Sequence, residues 1–165
     1  MVFIHNISRL VLGIALVAFA CDKSVKPPER ERYPPDTRDQ VTISQGAWGN
    51  VWFWEGNFMP VGWGKITPVV RTVYVYELTN LQQVDQIPRS PFYWAIYTAL
   101  VDSGQSNLTG FFQFPLEPGQ YSFFVKEDSL YYANSFDVYG NILPATIRKD
   151  SLTKVQIDIT YKATF

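Results

Sequence analysis

From position 41 onward the chain consists of short apolar runs separated by turn residues, and no stretch has the spacing of an amphipathic helix. That pattern restricts the body of the chain to an all-β sandwich of about seven or eight strands. The clearest strand is TKVQIDITY, where Val155, Ile157 and Ile159 alternate with Lys154, Gln156, Asp158 and Thr160. A period of two sends the aliphatic set to one face and the polar set to the other, so one face meets the core and one meets water.

Residues 69–78 place Val73 and Val75 opposite Tyr74 and Tyr76, apolar on both faces, which predicts an interior strand or one whose second face is covered by a loop. Residues 111–116 and 121–127 flank Glu117-Pro118-Gly119-Gln120, a turn in which Pro presets one dihedral and Gly accepts a positive one, and this predicts a hairpin. Further strands are expected over 46–54, 96–102, 131–137 and 145–148. No internal repeat is evident.

The run LTGFFQFPLEPGQYSFFV at 108–125 resembles the central signature of carboxypeptidase regulatory-like domains. In that family a Thr, a Gly and an aromatic residue lead through a strand to Leu-x-Pro-Gly-x-Tyr. Gly49-Asn50-Val51 and Gly56-Asn57-Phe58-Met59-Pro60 are similar to the opening and close of the family's first strand. The resemblance spans about residues 43–161, with 80–96 as an insertion, and implies a transthyretin-like (prealbumin-like) Greek-key sandwich. It also implies a binding or structural module with no catalytic residues to carry over.

The beginning of the chain reads as an address. Arg9 precedes an uncharged apolar stretch at 10–20, the layout of a secretory signal. As a helix this stretch reaches only about 17 Å, against about 30 Å of hydrocarbon, so a permanent span is disfavoured. Ala18-Phe19-Ala20-Cys21 resembles the lipobox of bacterial lipoproteins, which implies lipidation of Cys21, attachment to a membrane through that lipid, and residence at the outer membrane. Residues 21–40 carry Pro27, Pro28, Pro34 and Pro35, five basic and five acidic side chains and almost nothing apolar, and read as a disordered tether. The expected organisation is signal peptide 1–20, anchored linker 21–40 and sandwich domain 41–165.

Composition narrows the chemistry. Fourteen basic against fifteen acidic side chains give a formal charge of −1, too near neutral for a nucleic-acid partner. The only histidine, His5, lies in the expected leader, and the only cysteine is Cys21. The domain is therefore expected to lack imidazole and thiol catalysis, a zinc site and disulfides, to need no cofactor or metal, and not to be an enzyme. Ser151 and Lys154 match Ser-x-x-Lys, but in a strand residues three apart point oppositely. Glu55, Glu77, Glu127, Asp128 and Asp137 could act as paired carboxylates, and with Asn134 and Asn141 they could ligate calcium, although solvated turn acids explain them as well.

The aromatic surplus remains. Trp52 and Trp54 share a strand face, and Trp63 and Trp94 lie in neighbouring segments. Burial predicts that Phe92, Tyr93 or Trp94 folds over the Trp52 and Trp54 face. If instead Trp52, Trp54, Trp63 and Trp94 stay exposed, they form a platform for a glycan or an envelope protein partner.

Overall fold

The computed structural model describes residues 34–165, and the leader and Cys21 lie outside the described residues. In chain order the strands are β1 (Gly46–Asn57), β2 (Lys65–Pro68), β3 (Thr72–Glu77), β4 (Val84–Gln86), β5 (Phe92–Ile96), β6 (Leu100–Gln105), β7 (Phe111–Phe114), β8 (Gly119–Glu127), β9 (Leu130–Tyr132), β10 (Pro144–Ile147) and β11 (Leu152–Thr164). Only two 3-10 turns, Arg38–Gln40 and Leu81–Gln83, interrupt this all-β pattern among the described residues.

The strands form two sheets. In the smaller, β1 pairs with β11 in parallel from Gly46↔Leu152 to Asn57↔Thr164, while β7 and β2 take successive halves of its other edge in antiparallel register. The larger has the order β4-β5-β9-β8-β3-β6, with β10 also paired to β8. The sheets pack face to face as a sandwich. Val51, Phe112, Phe114, Val155, Ile157 and Ile159 of the smaller meet Val73, Val75, Phe123, Val125, Tyr132 and Ile147 of the larger in one buried cluster. Each such side chain contributes about 1.5–3 kcal/mol on burial. The alternation in 153–161 therefore points as expected: Val155, Ile157 and Ile159 are buried and Lys154 is exposed. Gly49 is required where β1 and β11 run side by side, because a Cβ there would stand 1.6 Å from the Val155 carbonyl oxygen.

The interior strand expected at 69–78 is β3, lying between β8 and β6. Its second face is also covered. Tyr76, Val84, Tyr93 and Phe124 pack beneath Ala133 and Ile142 as a second buried cluster on the outer side of the larger sheet.

Several expectations are corrected. The run Glu117-Pro118-Gly119-Gln120 does not close a hairpin, since β7 pairs with β1 in one sheet while β8 pairs with β3, β9 and β10 in the other. The turn carries the chain between sheets. The tight hairpin is β8–β9, where Glu127 pairs with Leu130 around Asp128, which adopts φ 51°. Such a left-handed φ is one that Asp tolerates better than most residues. The strand expected over 96–102 is broken into β5 and β6, and that over 131–137 stops at Tyr132. Residues 80–96, read as an insertion, contribute β4 and β5 to the larger sheet, and the described residues hold eleven strands where about seven or eight are expected.

Residues 36–40, read as the end of the tether, are packed on the smaller sheet. Thr37 is only 3% exposed, and its hydroxyl donates to Asn50 Oδ1 at 3.0 Å. Farther along, Thr42 N–H donates to Gln113 Oε1 at 3.0 Å, and Gln45 Nε2 to the Leu116 carbonyl at 3.0 Å. The segment thus runs along the outer face of β1 as a polar strap.

Candidate functional site

The loop between β9 and β10 carries the most conspicuous exposed apolar side chains of the larger-sheet side. It starts with Ala133 under the β4–β5 pair, where Tyr93 Oη donates to the Ala133 carbonyl at 3.3 Å, and it returns through buried Ile142. Between these anchors the chain turns on Asp137. Asp137 Oδ1 accepts the Tyr139 and Asn141 N–H groups at 2.9 Å each, and Oδ2 accepts Asn141 Nδ2 at 2.9 Å. Gly140, at φ 79°, donates its N–H to the Asp137 carbonyl at 3.0 Å. The Asn141 side-chain amide, helped by the N–H groups of Asn141, Tyr139 and Gly140, holds the Asp137 carboxyl below the usual carboxylate range. Ile142 N–H donates to Thr79 O at 2.8 Å and Leu81 N–H to Gly140 O at 3.1 Å, so both flanks are tied to the body.

This bracing forces side chains outward. Val138 is 92% and Tyr139 84% exposed, and Phe136 is exposed beside them. Two cavities flank the loop. One of about 260 Å³ is lined by Gln86, Arg89, Pro91, Tyr93, Asn134 and Phe136, and another of about 360 Å³ by Asn80, Leu81, Gln82, Tyr139 and Gly140. The loop thus presents a fixed apolar projection between two hollows. Sequence reasoning missed Phe136, Val138 and Tyr139. The signal that could have found them is Asp137 three residues before Gly140, a turn signature that lifts the residues between out of any strand.

The four candidate tryptophans are divided between the sheets. Trp52 and Trp54 lie on the outer face of the smaller sheet and are half-buried. Trp54 Nε1 donates to Asp158 Oδ1 at 3.0 Å, and its ring packs on Phe58 and Phe165 with centroids at 4.9 and 6.1 Å. Trp63, in the β1–β2 connection, is 75% exposed. Trp94, on β5 of the larger sheet, is 64% exposed. The expected cover of Trp52 and Trp54 by Phe92, Tyr93 or Trp94 does not form, because β5 is hydrogen-bonded into the other sheet. Tyr93 packs on Phe124, and Phe92 packs on Tyr132 and Tyr161. Trp94 alternates with Tyr93 and so takes the Phe92 side of a sheet wider than its partner, where the smaller sheet gives it no cover.

Of the candidate carboxylates, Glu127 and Asp137 are engaged in structure, as is Asp158, while Glu55, Glu77 and Asp128 are exposed. Glu127, nearly buried, is paired with Arg71 and accepts the Tyr161 hydroxyl at 2.9 Å, which ties β8 to β11 across the sandwich. Burial, and then the hydrogen bond to Glu127, push the Tyr161 phenol up to about 12. Asp158 accepts Trp54 and Gln156 side chains at 3.0 Å each, yet burial still raises its carboxyl above the ordinary value. Among the described residues no group of three or more His, Cys, Asp and Glu is placed to hold a metal ion. Ser151 immediately precedes β11 and Lys154 lies on it, where Lys154 pairs with Asp36 at 3.7 Å across exposed surface. Among the described residues no helix is long and apolar enough to cross a membrane.

Comparison with protein-family models, with curated proteins and with solved structures finds no match to the chain.

Proposed function

We propose that this chain is a bacterial envelope lipoprotein, held at the outer membrane by lipid on Cys21, whose sandwich binds a protein partner and performs no catalysis. The observation that carries the binding reading is the braced loop that displays Phe136, Val138 and Tyr139 between two cavities. Apolar side chains fixed in water contribute nothing to the free domain and are available to an interface, where aromatic anchors dominate binding energy. The non-catalytic reading is supported by the engagement of Glu127, Asp137 and Asp158 in structural hydrogen bonds.

We further read the sandwich as transthyretin-like with Greek-key connections, of the carboxypeptidase regulatory-like type. Physical roles at the signature residues support this. Gly110 sits at φ 75°, where a Cβ would stand 2.5 Å from the Val51 carbonyl oxygen. Tyr121 Oη donates to the Glu117 carbonyl at 3.0 Å and braces the passage between sheets.

A photo-crosslinking residue at Val138 in living cells tests the binding reading. The expected result is a discrete adduct that disappears in the Phe136→Ala, Tyr139→Ala double variant while Cys21→Ser releases the protein from membranes. Absence of an adduct from folded, membrane-held protein overturns it. The second reading, a glycan module, is favoured by the exposure of Trp63 and Trp94. It predicts glycan-array binding lost on Trp→Ala at those positions.

A further inference from the structure

The cavity beside Phe136 has a second rim. It is the connection between β4 and β5, Ile87-Pro88-Arg89-Ser90-Pro91, which shares with Asn134 and Phe136 the lining of a hollow of about 260 Å³. This rim is braced as the loop opposite is. Ile87 N–H donates to the Phe92 carbonyl at 2.9 Å, Ser90 N–H to the Ile87 carbonyl at 3.1 Å and Gln86 Nε2 to the Ser90 carbonyl at 2.8 Å. The Pro91 carbonyl accepts Ala133 N–H at 3.1 Å, which joins the two rims at their base.

Arg89 sits at the turn. Pro88 followed by a positive φ is the type II pattern, whose third residue favours Gly or Asn because the left-handed region crowds a Cβ. Arg89 adopts φ 57° there. Its side chain does nothing to offset that strain: it is exposed and makes no hydrogen bond or ion pair with any described residue. Among the residues lining the two cavities beside the projecting loop, Arg89 alone is charged. The carboxylates nearest to it on these segments already have donors. Asp137 accepts Tyr139 N–H, Asn141 N–H and Asn141 Nδ2, and Asp85 accepts the Tyr97 hydroxyl. The guanidinium is thus a cation without a counterion, at the rim of a hollow walled by Pro91 and the exposed Phe136.

We propose that Arg89 takes a carboxylate of the protein partner, an Asp or Glu side chain whose apolar neighbour seats against Phe136 and Pro91. This deepens the protein-binding reading and rests on it. A guanidinium offers a carboxylate a planar, bidentate pair of donors. Both rims are fixed before the partner arrives, so little order has to be imposed on binding. An internal acidic residue fits better than a chain end, because hollows lie on both sides of the projecting loop and a segment that fills both must continue across it.

The test has two arms. In the first, the full chain carrying Cys21→Ser is titrated with acetyl-Phe-Glu-Phe-amide and with its Gln and Lys counterparts, and binding is read from the amide NMR shifts of Asn134 and Gly140. The Glu peptide should bind about tenfold more tightly than the Gln peptide, the effect of one charge-assisted hydrogen-bonded pair. The preference should vanish in Arg89→Gln and turn to the Lys peptide in Arg89→Glu. Arg89→Gly is the folding control: it relieves the left-handed strain, so its urea midpoint should not fall, yet the preference should be lost. Equal or absent binding of the Glu and Gln peptides, or a preference that survives Arg89→Gln, overturns the proposal.

In the second arm the cellular crosslink from Val138 is repeated in Arg89→Glu, which should lose the adduct. An undiminished adduct overturns the proposal and leaves the protein-binding reading standing. A Glu preference lost in Arg89→Gln, with no adduct from the unaltered chain, supports the carboxylate site and removes the protein partner.

Discussion

The two outer faces of this sandwich are both covered, by opposite means. On the larger sheet, Tyr76, Tyr93 and Phe124 are closed over by Ala133 and Ile142, so the cover is apolar and part of the fold's stability. On the smaller sheet, outward-facing Asn50 and Gln113 receive the strap through hydrogen bonds from Thr37 and Thr42. Such bonds exchange with water and contribute only about 0.5–1.5 kcal/mol each. One face is thus sealed mainly by the hydrophobic effect, while the other is held mainly by polar bonds, with Val41 and Ile43 beside the nearly buried Trp48 as its apolar part.

The contrast is broken most directly at Phe124. Phe124→Ala should lower unfolding free energy by about 3–5 kcal/mol, read as a reduced urea midpoint, because its ring meets Tyr76, Tyr93 and Tyr131 and nothing nearby can fill the space. Ile142→Ala tests the cover itself and should cost about 2–5 kcal/mol. An effect as small as a surface substitution would mean that the cover is no more fixed than the strap.

Alkali sharpens the comparison. Burial raises the Tyr76 and Tyr93 phenols, both on the larger sheet's outer face. In the unfolded chain a phenol loses its proton near 10.0, and in the fold these keep theirs to higher pH. Stability is therefore intact below about pH 10 and falls as pH rises beyond it. Hydrogen exchange should show amides of β4, β5 and 133–142 opening first, ahead of those under the strap.

The strap effects are smaller. Thr37→Ala should cost about 1 kcal/mol and raise exchange in 36–45 without moving the alkaline transition. Asp36→Asn should leave the urea midpoint unchanged within about 0.5 kcal/mol, since its pairing with Lys154 lies in solvent.

What the sequence disclosed follows the same division. Val155, Ile157 and Ile159 announce a half-buried strand because one face meets core and the other water, and the two-faced apolar pattern at 73–76 leaves an interior strand or a covered second face as alternatives, both of which β3 has. Pairing was less legible. Glu117-Pro118-Gly119-Gln120 has hairpin composition, but a turn specifies a change of direction and not the sheet that receives the next strand. The strap was unreadable because it is bound by side-chain hydrogen bonds over long sequence separations, which leave no periodicity. At the candidate site, Phe136, Val138 and Tyr139 were invisible as a group until Asp137 was seen to bend the chain around itself.

The parallel union of β1 with β11 sets a timetable for assembly. Gly46 and its neighbours find their parallel partners only when β11 arrives, more than a hundred positions later. Closing so long a loop is slow and leaves the first strand's edge bare until then. Loss of β11 would strip one whole side of β1, which makes this late strand the piece that closes the fold.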